Sequence, residues 1–378
     1  MPAGRDSAST ISQLYMESRE MSNFGLKKVT KKIAKEKATA DMESGTAPYT
    51  YQSPVAISGD IADLFGPDSV QNREVCPGDF VEIRRDGKTS YGIFIQDFDQ
   101  SENRLKSTTL TVGSKKITHR TADVVFRIPR HLLPDKIKAV VEDWDVEFNP
   151  ASPPIAASKM VAMFVDEAML LLGTFYSKFD TVYDTFWNDR KQKTITTLQV
   201  ARFVFDKEGG TDHHHPEPSN LQEIYASHLF LTQDVNLLKF NPSIAVRWTG
   251  EFAMRPPQDV LLTETVIDWI RNSDPEIDCF VKKAKVLIEN SRQDDKSKWK
   301  KITFTDSDRI LIEFVKEAAL NGYNDIFTQP HLTYLPKLLR PMEAYDDIDA
   351  GTAFKFLNEI GIWPNWHNME IKRSGISV

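Results

Sequence analysis

The sequence has 378 residues, which is too long for one hydrophobic core and predicts two or three domains. It is 40% hydrophobic and 27% charged, as in ordinary soluble globular proteins. The formal net charge of −7 excludes a protein held on nucleic acid by its overall charge, so any RNA contact has to use a local patch. Only Cys76 and Cys279 are present, which excludes a disulfide scaffold and predicts a reducing compartment. No apolar run approaches the ~18 residues of a membrane span, so no membrane contact is predicted.

Residues 1–70 are predicted to form a mostly disordered leader. The stretch 19–37 is basic and has apolar residues at helical spacing. It is either a basic helix that touches RNA or a protein partner, or a solvated tail. Hydroxyl side chains and arginine occur near the N-terminus, but Asp6, Glu17 and Glu20 make this region a weak organelle presequence.

Residues 71–134 are predicted to form a small antiparallel β-barrel. Short runs of β-type residues alternate with turn signals, among them the hairpin pair Asp86-Gly87. Such barrels often bind single-stranded RNA with basic and aromatic side chains on one face. The candidate RNA-binding residues are Arg84, Arg85, Lys88, Tyr91, Lys115, Lys116 and Arg120. Phe94 is a second candidate for stacking on a base. In the alternative interpretation, the aromatic side chains belong to the core and the charges only face solvent.

Residues 155–257 are predicted to form a helical hairpin followed by a winged helix. The stretch 155–187 has the longest apolar helical face, which predicts core packing against the winged helix. Thr197 is predicted to cap the next helix, and Ser219 or Asn220 the helix after it. Helix, turn, helix and hairpin follow one another in the order of a winged helix.

The hairpin of this module is predicted from apolar runs at 237–240 and 244–248, on either side of a turn at 241–243. The segment 219–236, which contains the second helix, has no Lys or Arg, which argues against DNA recognition and favours a packing or docking module. The adjacent histidines 213–215 are interpreted as a polar loop, because neighbouring residues cannot all converge on one metal ion.

Residues 258–378 are predicted to form a helical domain. Pro275 opens one helix, and residues 305–308 cap another. An acidic run precedes the last helix and consists of Glu343, Asp346, Asp347 and Asp349. Clustered carboxylates are typical of two-metal nucleases, but an acidic residue directly before a helix is ordinarily its N-cap, and the cap is the favoured interpretation.

Several of these stretches together resemble one family. They are PGDFVEIRR, YGIFIQDFDQ and THRTADVVFRIP in the barrel region, TITTLQVARFVF in the winged-helix region, and TDSDRILIEFVKEAAL with RPMEAYDDIDAGTAFKFLNEIGIWPNW near the C-terminus. They are similar to the N-terminal half of fungal mitochondrial exoribonucleases of the RNase II (RNB) type. The resemblance covers roughly 70–378.

The resemblance implies a mitochondrial role in 3′-to-5′ RNA degradation, with single-stranded RNA and an RNA helicase of the mitochondrial degradosome as partners. The family's catalytic aspartates lie beyond the tail motif, so no catalytic or metal-binding residue is assigned here. The Mg²⁺ that the family uses is expected in that catalytic domain, outside this chain. The chain is therefore expected to be the accessory half of such an enzyme. Two alternatives stay open: a scaffold that binds only proteins, and a self-contained metal nuclease that uses Asp346, Asp347 and Asp349.

Overall fold

The computed structural model describes ten parts of the chain: residues 75–85, 88–99, 104–111, 115–143, 155–205, 221–243, 250–293, 302–321, 327 and 329–364. The predicted leader and the histidine run lie outside them. The chain divides into two compact units, Met1–Asn236 with Phe240–Met254, and Leu237–Lys239 with Arg255–Val378. Helices and antiparallel sheets are both present, which confirms the predicted α+β class.

The first unit begins with a five-stranded antiparallel sheet whose strand order is β4-β3-β2-β1-β5. Its strands are β1 (Phe80–Arg85), β2 (Lys88–Asp99), β3 (Arg104–Thr111), β4 (Lys116–Thr118) and β5 (Val124–Ile128). Each of the strands β1, β2 and β3 pairs with the strand that follows it in the chain, whereas β5 pairs with β1.

The prediction of a closed barrel is wrong for the described residues, because β4 and β5 are the two edges of the sheet and do not pair with each other. The chain runs from Thr118 at one edge to Val124 at the other, a path that spans at most about 20 Å. At Gly92 the strands approach so closely that an added Cβ atom would lie 1.9 Å from the carbonyl oxygen of Leu110.

One face of this sheet packs against two helices, α2 (Ile155–Thr174) and α6 (Leu221–Leu231). The ring of Phe80 on β1 lies 5.3 Å from that of Phe164 and 5.2 Å from that of Tyr225. The opposite face has its own small core of buried side chains: Val75, Val81, Ile83, Phe94 and Val124. Phe94 is therefore a core residue and is not placed to stack on a base.

Helix α1 (Asp135–Asp143) precedes α2, whose predicted apolar face is buried. After α2 the chain continues through α3 (Tyr176–Asp180), α4 (Val182–Asp184) and a π-helical turn at Thr185–Asp189. In the part of the chain that the structure describes, no single helix is long and apolar enough to cross a membrane. One pair of helices is long and apolar enough only when both are counted together, and the two are bent by 67° relative to each other: Ala156–Thr174 and Tyr176–Asn188.

The region predicted as a winged helix contains α5 (Thr197–Phe205), α6 and a three-stranded sheet of order β6-β8-β7. Its strands are β6 (Thr194–Thr196), β7 (Phe240–Pro242) and β8 (Glu251–Met254). Two helices followed by a strand pair were predicted, and this order is observed. The strands lie further along the chain than predicted, and residues 244–249 lie outside the described residues. Pro242, predicted in the turn, sits in β7, which is an edge strand of the described sheet and tolerates the missing N–H.

The predicted cap of α5 is displaced by one residue. The Thr196 hydroxyl accepts from Gln199 N at 3.2 Å, and the Gln199 side chain accepts from Thr196 N at 2.8 Å, which is a reciprocal capping box. Thr197 is instead buried and donates its hydroxyl to the carbonyl of Gly250. Both threonines are suitable caps by residue type, and only tertiary burial distinguishes them.

The second unit is helical in its described part. Its helices are α7 (Pro257–Asn272), α8 (Pro275–Ser291), α9 (Asp306–Asn321), α10 (Pro330–Leu339) and α11 (Ala350–Glu359). Pro275 opens α8 as predicted, and Asp274 caps it. The Asp308 carboxylate accepts from Thr305 N at 2.6 Å, so the predicted cap of α9 is also confirmed.

Candidate nucleic-acid interface

Arg84 lies in the interior, against the prediction that it contacts RNA. Its Nε donates to Glu82 Oε1 at 2.9 Å, and its Nη1 donates to the carbonyl of Thr232 at 3.0 Å. The side chain of Arg84 is 7% exposed and that of Glu82 is fully buried. A buried cation of this kind is retained by its counter-ion and its hydrogen bonds, so Arg84 is a structural residue.

Helix α6 completes this buried polar group. The Tyr225 hydroxyl donates to Glu82 Oε2 at 2.8 Å, and His228 Nε2 lies 3.4 Å from the same oxygen. Burial lowers the pKa of His228, and the nearby carboxylate of Glu82 only partly opposes this shift. The charge of Glu82 is thus balanced mainly by Arg84, which leaves His228 as a neutral partner.

Arg85 and Lys88 lie directly opposite each other where β1 turns into β2, and both are exposed. Side chains alternate along a strand, so these two face away from the Glu82 side of the sheet. Arg120 precedes the short 3-10 turn that leads into β5, the strand that pairs with β1. We call Arg85, Lys88 and Arg120 the sheet-end cluster.

Two further residues hold Arg120 in place at the sheet end. Its Nε and Nη2 donate to Asp123 Oδ1 at 3.0 and 2.7 Å, while its side chain stays 64% exposed. The neighbouring His119 ring is bonded to Thr109 Oγ1 at 2.9 Å and to the Arg120 carbonyl at 3.0 Å. Burial is the main cause that lowers the pKa of His119, and the charge of Arg85 adds to it. Val124, which follows the 3-10 turn after Arg120, is opposite Ile83, so the Arg120 segment lies beside the end of β1 that carries Arg85.

The remaining candidates lie elsewhere on the sheet. Tyr91 is opposite Glu82, so its half-buried side chain is on the Glu82 side of the sheet. Lys88 faces the other side. Lys116 is opposite Leu110, which is in turn opposite residue 93 of β2. From the strand rise and spacing, Lys116 is about 20 Å from Lys88. Lys115 adjoins Lys116 at the β3–β4 turn, and both are exposed. The predicted set is therefore divided into two basic groups.

Helix α6 does not form an exposed surface. All of its side chains except that of Gln222 are buried, because the helix packs against the sheet, α2 and α5. The sequence showed that the helix has no Lys or Arg but not that its polar residues are buried. Glu82 was overlooked because it alternates with Val81 and Ile83, the usual pattern of a strand with one solvated face.

The acidic run in the second unit contains a helix cap, as the favoured interpretation predicted. Asp349 Oδ1 accepts from Thr352 N at 2.8 Å and from the Thr352 hydroxyl at 3.0 Å, and the backbone hydrogen bond lowers the pKa of this carboxyl. Asp346 and Asp347 are exposed. Across the described ranges, no three His, Cys, Asp or Glu side chains converge into a group that can hold a metal ion.

Comparison with known proteins identifies a related fold and no family. No family model matches the sequence, and no curated protein matches it. Among solved structures, the chain is similar to the crystal structure of an active-site mutant of the Dss1 exoribonuclease from Candida glabrata, with a TM-score of 0.55 and 15% identity. The match covers 83% of this chain and 40% of that chain. The chain thus spans less than half the length of the exoribonuclease whose fold it shares.

Proposed function

We propose that this chain is an accessory region related to RNase II-type 3′-to-5′ exoribonucleases, which guides single-stranded RNA and docks a partner during RNA degradation. The observation that carries the proposal is the likeness in fold to the Dss1 exoribonuclease over 83% of this chain. The motifs that resemble fungal mitochondrial enzymes of this type point the same way. We assign no hydrolytic step to the described residues, and Mg²⁺ is expected only in the family's catalytic domain.

The sheet-end cluster is the proposed contact for RNA phosphates. Arg85 and Lys88 present two exposed cations side by side, and Arg120 adds a guanidinium whose orientation is fixed by Asp123. Fixing a cation in advance reduces the entropy lost when a phosphate binds. Lys115 and Lys116 form a second basic group at the β3–β4 turn, with Lys116 on the Glu82 side of the sheet by its register. Since β4 is an edge strand of the described sheet, an extended strand of RNA that contacts both groups has to pass around this edge.

The region from β6 to β8 is proposed to act as a winged helix that packs and docks, since α6 is buried and offers no basic face. An RNA helicase as the docked partner, and the mitochondrion as the site of action, follow from the resemblance alone. Neither depends on the geometry of the sheet-end cluster, so each needs its own test.

Binding of single-stranded RNA tests the proposal. A fluorescein-labelled oligouridine is titrated with the full 378-residue chain at several salt concentrations, and fluorescence anisotropy is recorded. The double variant Arg85→Gln/Lys88→Gln is expected to lose at least about five-fold in affinity and about 1.4 in the slope of log affinity against log salt. The matched control is Lys136→Gln/Lys282→Gln, which removes two exposed lysines elsewhere.

Three outcomes contradict the proposal in different ways. Absence of salt-sensitive binding at micromolar protein would remove the RNA-guiding role. Capture of a helicase without any RNA binding would favour the protein scaffold. Magnesium-dependent shortening of RNA by the purified chain, abolished by Asp347→Asn, would show that the chain is itself a nuclease.

A further inference from the structure

A second basic surface lies outside the five-stranded sheet, where the π-helical turn Thr185–Asp189 ends. Arg190 N–H donates to the Thr185 carbonyl at 3.2 Å, and Gln192 N–H donates to the Phe186 carbonyl at 3.0 Å. These bonds close a wide turn directly before β6. π-Helical turns are rare and are frequent at functional sites, so this one requires a specific explanation.

The guanidinium of Arg190 lies over aromatic rings. Its Cζ atom lies 4.4 Å from the centre of the buried Phe186 ring and 5.7 Å from that of the half-buried Phe203 ring. The two rings meet edge to face at 5.5 Å, a favourable aromatic contact beside the cation. An Arg side chain held over an aromatic face by cation–π attraction still has N–H donors that an anion can accept from.

Two lysines extend this surface. Lys191 adopts φ of 51°, a left-handed conformation that is uncommon for a residue other than glycine, and its side chain is exposed. Lys193 is also exposed, and its carbonyl is bonded to Met254 N, which fixes this position against β8. Three cations thus lie within four positions, on backbone that is held by hydrogen bonds at both ends.

We propose that Arg190, Lys191 and Lys193 bind the phosphates of single-stranded RNA, and that Phe203 contacts a base beside the Arg190 guanidinium. Cations placed next to an aromatic ring are the combination by which proteins hold single strands, because every base has a face that stacks. The segment 184–193 carries these three cations and the carboxylates of Asp184 and Asp189, a net charge of +1. Non-specific attraction is therefore small, and binding depends on the arrangement of the cations.

This site is separate in sequence and in secondary structure from the sheet-end cluster. The choice of RNA as ligand rests on the proposed function, whereas the cation over the Phe186 ring and the left-handed conformation of Lys191 are observed directly. A chain with two such surfaces can hold one RNA strand at two points, which raises affinity through the effective local concentration of the second site.

The test is oligouridine binding by the full chain, followed by fluorescence anisotropy. The triple variant Arg190→Gln/Lys191→Asn/Lys193→Gln is expected to bind at least about ten-fold more weakly, with a salt slope lower by about 2. Asparagine is chosen at 191 because it tolerates the left-handed conformation. The control Lys136→Gln/Lys159→Gln/Lys282→Gln removes three exposed lysines elsewhere and is expected to bind like wild type.

A second variant, Phe203→Leu, tests the aromatic part without changing any charge. It is expected to lose about five-fold or more in affinity and to keep the wild-type salt slope. Polyglutamate, used as a competitor, is expected to displace RNA only weakly, since it has no base to stack.

The outcomes distinguish this inference from the proposed function. If wild type binds RNA and only the Arg85/Lys88 variant weakens binding, the second surface is wrong and the proposed function stands. If the triple variant weakens binding and the Arg85/Lys88 variant does not, RNA is held here and the sheet-end site is wrong. If polyglutamate competes as well as RNA and Phe203→Leu has no effect, the surface binds acidic proteins, which overturns the inference. A lower melting temperature with unchanged affinity assigns the three cations to stabilising the helix end.

Discussion

The hydroxyl of Tyr225 donates a 2.8 Å hydrogen bond to the carboxylate of Glu82, and this contact joins helix α6 to strand β1 across 143 positions of sequence. The same carboxylate accepts from Arg84, which in turn donates to the carbonyl of Thr232 just after α6. The helix is therefore fixed on the sheet by directed polar bonds as well as by apolar packing. Because these bonds are buried, each one depends on its partners being present.

Replacing Glu82 by glutamine is expected to destabilise the first unit strongly. The variant leaves the Arg84 guanidinium buried without its counter-ion, which costs about 3–5 kcal/mol in comparable cases. Tyr225→Phe removes only one hydrogen bond and is expected to cost about 1–2 kcal/mol. Urea unfolding of both variants measures the two free energies. Equal losses for the two would show that the ion pair is not what holds the helix on the sheet.

The stability of the second unit is expected to fall as the pH drops below about 6.5, in part because of His331. The imidazole is buried, with Nε2 3.1 Å from the Thr263 hydroxyl, and burial lowers its pKa well below the ordinary value of 6.5. In the unfolded chain the same group takes up a proton near 6.5. The unfolded state therefore binds more protons in acid, and the stability present above pH 6.5 is lost below it.

A comparison of wild type with His331→Gln isolates this effect, because every other titrating group is shared. One such group is Asp166, whose pKa burial raises to about 6 and which acts in the opposite direction between pH 4 and 6. The difference in unfolding free energy between the two proteins is expected to change by at most about 1.4 kcal/mol per pH unit below 6.5. If the difference in unfolding free energy between wild type and His331→Gln is constant from pH 7.5 to 5, His331 takes up a proton in the folded state as well, which would contradict the prediction.

Replacing Gly92 by alanine is expected to disrupt the pairing of β2 with β3. The new Cβ atom would lie 1.9 Å from the carbonyl oxygen of Leu110 and 2.9 Å from the Cα atom of Thr111, and neither backbone atom can move aside. We expect a loss of about 3 kcal/mol or more in the free energy of unfolding. The control is Gly351→Ala, where the nearest atom belongs to the Asp349 side chain at 3.3 Å, and the expected change is within about 1 kcal/mol.

The last prediction separates helix capping from metal binding in the acidic run. Asp349→Ala removes the cap of α11 and is expected to cost about 1 kcal/mol. Asp347→Ala removes an exposed carboxylate that makes no cap and is expected to change stability by less than about 0.5 kcal/mol. Thermal unfolding measures both, with and without MgCl₂. Stabilisation of wild type by magnesium that both variants lose would contradict the cap interpretation.

Local features of the chain were predictable because they depend on a few neighbouring residues. The apolar face of α2, the proline at the start of α8 and the cap at Asp349 each follow from spacing or residue type within one or two helical turns. The strands of the five-stranded sheet were also predictable from alternation and turn signals, but whether it closes into a barrel was not. Whether the edge strands β4 and β5 pair depends on the curvature accumulated over all five strands, and a short sequence pattern cannot predict that curvature.

The role of Arg84 is the clearest failure of prediction. Alternation with Val81 and Ile83 put Glu82 and Arg84 on one face, which the sequence indicated to be solvated. Both faces of β1 are in fact covered, one by α6 and the other by the small core that includes Val81 and Ile83. The opposite charges of Glu82 and Arg84 satisfy each other, and this pairing is what allows two ionised residues to lie in the interior.

By itself, the sequence determined the α+β class and the starts of α8, α9 and α11, because hydrophobic period and capping act over a few residues. Tertiary structure alone decided which of the predicted cations face solvent and which support the core. It also placed Arg190 on the Phe186 ring and turned α6 into a buried helix. These outcomes depend on contacts between distant segments, since the energy of a charge is set by the groups that fold around it and not by its neighbours in the chain.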